Sequence, residues 1–176
     1  MIQSIERSNH LFSDYAVAPQ TFTMSSGKTV EVAKCFLEFP RWDGPPISDT
    51  YGGKPVLESD GEAVFAEIGI LRLLQRKGFD GVWVDTFLGR LRQSIAPLTR
   101  DLPADIREVY RRIVDANGSR RGCWDVLAWK DERVVFVECK RKSEDRIRTT
   151  QTAWLESSLR AGIGLDSFMV CEWDIR

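Results

Sequence analysis

The strongest constraint on this chain lies between residues 123 and 140. Two apolar runs, CWDVLAW (123–129) and VVFVECK (134–140), are separated only by Lys130-Asp131-Glu132-Arg133. Runs this short, rich in Val, Phe and Trp and joined by a tight polar turn, predict two neighbouring strands. Set into them are Asp125, Glu138 and Lys140. Folding alone disfavours such residues there, because a buried charge is costly unless it is paired or bound to a metal. With Asp131-Glu132 as the two-residue loop, Lys130 opposes Arg133 and Asp125 opposes Glu138. Directly opposed side chains have Cβ atoms ~4.5–5.5 Å apart, and like charges there repel. Lys140, two residues after Glu138, shares its sheet face. A slip of one residue would instead send the two acids to opposite faces. Two readings follow. One is a Lys140 ion pair at a sheet edge, with Asp125 at an exposed strand end. The other is a hard divalent cation held by both acids, with the lysine beside the reacting water; Mg²⁺ prefers oxygen ligands, keeps several waters and typically takes only one or two carboxylates.

Downstream and upstream segments predict a mixed α/β domain. Ser59-Asp60-Gly61-Glu62 matches a capping box opening a helix that runs through Val64, Ile68 and Leu71 and stops at Lys77-Gly78. GVWVDTF (81–87) reads as a strand. A second helix from about Pro103 to Asn117-Gly118 has Ile106, Val109, Tyr110, Ile113 and Val114 on one stripe. A third begins near Thr149 or Thr150 with Trp154, Leu155 and Leu159 on one face, and SFMVCEW (167–173) is the last strand. The earliest part is less patterned. TFTM-SSGK-TVEV reads as a hairpin, and residues 40–55, rich in Pro and Gly, as a loop or linker. Within the first helix Glu67 interrupts the stripe formed with Val64, Ile70 and Leu71, whereas Glu62 is accounted for by the cap and the helix dipole. Gln151 opens the third helix on the face of Trp154 and Leu155, and reads equally well as an ordinary first-turn polar residue.

Composition narrows the chemistry. At 176 residues the chain suits one domain with a real core. No apolar run approaches the ~20 residues that span a bilayer, and MIQSIERSNH at the start lacks an apolar signal segment, so a cytoplasmic protein without membrane contact is expected. Cys35, Cys123, Cys139 and Cys171 are scattered with no C-x-x-C spacing, which suggests neither a disulfide framework nor a zinc knuckle. A single histidine, His10, argues against Ser-His-Asp, Cys-His and multi-His metal chemistry. Carboxylates, lysine and a hard metal ion remain. The net charge of −1 speaks against a nonspecific polycation, yet Arg120, Arg121, Arg141, Lys142, Arg146 and Arg148 concentrate positive charge in the last third.

The ordered strings RGCWD (121–125), FVECK (136–140) and QTAWL (151–155), preceded by the Glu67 helix and GVWV, resemble the PD-(D/E)xK nuclease superfamily, and within it the VRR-NUC (virus-type replication-repair nuclease) branch. The likeness spans roughly residues 59–173, and it departs from the pattern at Trp124, where the family has proline. It implies a restriction-endonuclease-like αβββαβ core, a small mixed sheet flanked by helices. To that core this chain adds an N-terminal extension over 1–58 that contains the hairpin. The nuclease-like domain would occupy 59–176, with a helical insertion at about 87–121. The resemblance further implies that Asp125 and Glu138 bind Mg²⁺ or Mn²⁺ together with the Cys139 carbonyl, and that Glu67 completes the acidic site. Lys140 would orient or deprotonate the attacking water, and Gln151 would position water or a phosphate.

The expected activity is metal-dependent hydrolysis of phosphodiester bonds. The implied substrate is structured or branched DNA in repair, recombination or phage-related processes, with RNA as a further substrate class. The six basic residues would track phosphates without reading bases. Standalone relatives of this type imply a homodimer, for which the inserted helix offers an interface, although its stripe is accounted for by packing on its own core. The rival expectation is a noncatalytic nucleic-acid-binding protein that keeps the fold.

Overall fold

The apolar runs of the central hairpin are near-continuous because both of their faces are covered. In the computed structural model, which describes residues 11–96 and 98–176, they form β7 (Val126–Lys130) and β8 (Arg133–Arg141). Val126 and Ala128, with Val135 and Val137, pack into one apolar cluster, while Leu127, Trp129 and Phe136 pack into another on the opposite side. His10 lies outside the described residues, as do residues 1–9 of the expected extension.

Seven strands make one mixed sheet. Along the chain they are β1 (Ala16–Thr23), β2 (Thr29–Phe39), β5 (Asp80–Asp85), β6 (Arg90–Arg92), β7, β8 and β9 (Phe168–Ile175). In space the order is β1-β2-β9-β8-β7-β5-β6. Strand β9 runs parallel to both β8 and β2, and every other pairing is antiparallel. A parallel neighbour needs a crossover, and α3 (Thr149–Arg160) supplies it between β8 and β9. Helix α1 (Ala66–Arg76) lies on one face, its Ile68, Ile70, Leu71 and Leu74 buried against Val126 and Val137. The other face carries α2 (Ala104–Asn117) and α3. Ile106 and Ile113 of α2 are buried there, and Tyr110 meets Trp154 of α3 with ring centroids 5.8 Å apart. The stripe of the inserted helix is thus spent on its own core.

Three expectations change. The sheet is not small, because β6 extends it beyond β5 and the N-terminal hairpin extends it beyond β9. That hairpin is no appendage: Ala33 to Phe39 of β2 pair in register with Met169 to Ile175 of β9. Ser59 to Glu62 do not cap a helix. Leu57–Ser59 (β3) and Glu62–Val64 (β4) form a small separate hairpin about Asp60-Gly61, both residues at positive φ (54° and 78°). Asp-Gly is a preferred pair for such a turn, and it overrides the Ser-x-x-Glu pattern. Helix α1 starts later, at Ala66, and Glu62 pairs with Arg72.

One glycine ties the site together. Gly122 has φ 78°, and a Cβ there would fall 1.9 Å from the Thr150 carbonyl oxygen in the first turn of α3. Gly61 has the same φ with no atom near its absent Cβ. Gly61→Ala should therefore cost about 1 kcal/mol, the conformational penalty alone. Gly122→Ala should cost about 3 kcal/mol, since backbone must also move. Urea-unfolding midpoints of the two variants check the difference.

Candidate active site

The expected register of the central hairpin holds along the ladder, from Lys130 opposite Arg133 to Val126 opposite Val137. It ends one pair short of Asp125 and Glu138. There β7 breaks away: the Asp125 carbonyl accepts the Val84 amide of β5 (2.7 Å), and the Cys139 amide donates to Asp125 Oδ2 (2.9 Å). The carboxylate of Asp125 is thereby turned in beside β8 by a backbone donor.

Glu138 is fully buried. Its Oε1 accepts from Lys140 Nζ (2.8 Å) and from Gln151 Nε2 (2.5 Å), whereas Oε2 receives no N–H or hydroxyl donor, and the Asp125 carboxyl lies within hydrogen-bonding reach of the acid. Gln151 also accepts the Arg148 amide through its Oε1 (2.9 Å), closing the start of α3. Gln151 is thus a first-turn polar residue of the helix whose side chain also grips the acid. Trp124 is fully buried and its indole N–H donates to the Gln151 carbonyl (3.2 Å).

Glu67 enters from the first turn of α1, buried, and ion-paired with Lys54. Lys54 comes from the Pro- and Gly-rich segment, read from the sequence as a loop or linker. Its ammonium also lies 5.1 Å from the Trp83 ring centroid. Burial opposes its charge, but Glu67 outweighs this and raises its pKa. A lysine between Gly53 and Pro55 carries no periodic signal, so nothing in the sequence pointed to it. Asp85 is a further buried acid outside the expected set. It is buried at the end of β5, where its Oδ2 accepts from Tyr51 Oη (3.2 Å) and lies 3.5 Å from Arg92 Nη1. An acid ending a short apolar strand was the same kind of signal that exposed Asp125.

Asp125 is the electrostatic centre of the group. Burial first, and the Glu67 carboxylate second, push its pKa up to about 6, against the Cys139 amide, Lys140 and Lys54, which pull it down. Glu138 is driven well above the carboxylate range by burial and then by Asp125. The Cys139 thiol is pushed up by burial, then by Asp125. Glu67, Asp125, Glu138, Lys140 and Gln151 are therefore brought together, along with the Cys139 backbone. All four cysteines are free and buried. Beside Glu67 and Cys139 opens a cleft of about 330 Å³, also lined by Tyr51, Lys54 and Arg141. Among the described residues no set of three or more His, Cys, Asp or Glu side chains forms a ready-made metal cage.

The basic residues divide. Arg120, Arg121, Lys142, Arg146 and Arg148 are exposed. Arg120 and Arg121 sit in the loop before β7, and Arg146 and Arg148 in the loop before α3; the Gly122–Thr150 contact brings these loops side by side. Lys142 lies over the Phe36 ring at 4.7 Å. Arg141 is half-buried over Trp173 and close to Asp174 (3.8 Å) and Glu144 (3.9 Å), so its charge is largely matched within the protein. Among the described residues no helix is long and apolar enough to cross a membrane.

A carboxyl whose pKa is raised on folding binds its proton more tightly in the native state, so its contribution to stability is present at low pH and lost as pH rises through about 6. Asp125→Asn keeps an acceptor for the Cys139 amide but cannot ionise. Metal-free Asp125→Asn protein should therefore gain thermal stability over wild type as pH rises from about 4 to about 7; differential scanning fluorimetry across that range measures it. The chain matches no known family profile, no curated protein and no solved structure.

Proposed function

We propose that this protein is a metal-dependent nuclease that hydrolyses phosphodiester bonds, with structured or branched DNA as its substrate. The observation that carries this reading is the state of Glu138: a fully buried acid, one oxygen doubly hydrogen-bonded and the other without an N–H or hydroxyl donor, within reach of a second raised carboxyl. A structural acid would have its remaining lone pairs satisfied. A donor set of two carboxylates next to a backbone carbonyl suits a hard cation that keeps its own waters and needs no full protein cage. Asp125 and Glu138 would hold Mg²⁺ or Mn²⁺, with Glu67 adding negative charge from the α1 side. When bound, such an ion supplies a Lewis acid for the phosphoryl oxygen.

The side chains divide the remaining work. Gln151 and Lys140 fix the Glu138 carboxylate in one rotamer. The Lys140 ammonium, on the same sheet face, stabilises negative charge developing on the phosphate. Lys54 holds Glu67 on the far side of Asp125, and the exposed arginines of the two adjoining loops would meet the phosphate backbone. The order α1, β5, β7, β8, α3, β9, with β9 parallel to β8, supports a restriction-endonuclease-like core. A binding-only role makes no use of two adjoining acids, one fully buried and one half-buried, which repel phosphate.

Asp125→Asn and Lys140→Ala should each lower Mn²⁺-dependent cleavage of flapped or four-way DNA by about a hundredfold or more, with circular dichroism unchanged. EDTA should abolish cutting and excess Mg²⁺ or Mn²⁺ restore it. Cleavage that survives the chelator, or wild-type rates in both variants, would overturn the assignment.

A further inference from the structure

A second cavity, of about 210 Å³, opens on the α2 side of the sheet between that helix and the turn joining β5 to β6. Arg90, Arg107 and Arg120 line it, together with Tyr110, Asp85 and Asp101. The charge is not balanced. Asp85 is already offset by Arg92 at 3.5 Å, so the three arginines of the lining outnumber its one remaining acid, Asp101. Arg107 donates to the Leu102 carbonyl (2.9 Å), and among the described residues none of the three arginines is ion-paired. At the lip of the cavity, the tip of the turn carries Phe87, 87 % exposed, and Leu88, 44 % exposed. The tip is held in place, because the Leu88 amide donates to Asp85 Oδ1 (3.1 Å). The cavity adjoins the acidic site through Val84, which lines it and bonds through its amide to the Asp125 carbonyl.

An anion-selective hollow beside an outward-facing aromatic ring is the combination that accepts one unpaired nucleotide. Guanidinium groups match phosphate oxygens bidentately, and an exposed ring offers any base a stacking surface. We propose that this cavity and turn form a docking site for an unpaired nucleotide of a DNA strand. Its phosphate lies among Arg90, Arg107 and Arg120, and its base stacks on Phe87. The inference rests on the nuclease reading and adds to it a preference for substrates with a single-stranded stretch next to the cut.

Fluorescence anisotropy in EDTA, where no cleavage is expected, tests this with the full chain, a labelled oligothymidylate and a labelled blunt duplex of equal length. Phe87 is exposed and Arg90 unpaired, so Phe87→Ala and Arg90→Gln should fold normally by circular dichroism. Each should weaken oligothymidylate binding about tenfold and leave duplex binding unchanged. Wild-type oligothymidylate affinity in both variants, or an equal loss on the duplex, overturns the docking site while leaving the nuclease reading intact. Failure of the wild-type protein to bind either DNA overturns both.

Discussion

A carboxylate without exposed surface is among the more costly things a small domain can contain, and Glu138 sets terms for much of the structure around it. One oxygen is satisfied by Lys140 and Gln151. Gln151 can reach it because α3 begins where it does. That start is held by the Trp124 indole on the Gln151 carbonyl and by the close approach of Gly122 to Thr150. The same segment, three residues on from Gly122, delivers Asp125, which the amides of Val84 and Cys139 fix through its carbonyl and its side chain respectively. Strand end, helix start and buried acid are thus one mechanical unit, and the free oxygen of Glu138 is what that unit presents.

The electrostatics run outward from Asp125 in two directions. Toward α1 it meets Glu67, itself tied to Lys54; toward α3 it meets Glu138 and Lys140. Three acids thus stand side by side, Glu67, Asp125 and Glu138, with an ammonium group at each end of the row, Lys54 and Lys140. The exposed arginines lie outside the row, in the loops before β7 and α3, so they are available to an anion without competing for the acids.

Legibility in the sequence followed locality. The β7–β8 hairpin could be read because two apolar runs meet at a four-residue polar break, although that break alone left a one-residue slip open, and the end of α2 at Asn117-Gly118 because Gly118 adopts a positive φ of 72°. Ser59 to Glu62 misled because two local codes overlap there, a helix cap and an Asp-Gly turn, and only the strands on either side decide between them. The place of the N-terminal hairpin was unreadable for a different reason. Its pairing of Ala33 with Met169 joins opposite ends of the chain, and no local pattern records a contact of that separation. At the site, Glu67 and Gln151 were legible as polar residues on apolar helix faces. Lys54 was not, because a loop lysine acquires its meaning only from the fold that brings Glu67 beneath it.

Gln151 spans two jobs with a single planar group: its carbonyl end holds the first turn of α3 and its amino end holds Glu138. The ends of an amide cannot rotate separately. Fraying at the head of this helix must therefore loosen a strand carboxylate, and a change in that carboxylate's charge must be felt as a change in the helix's tendency to unwind.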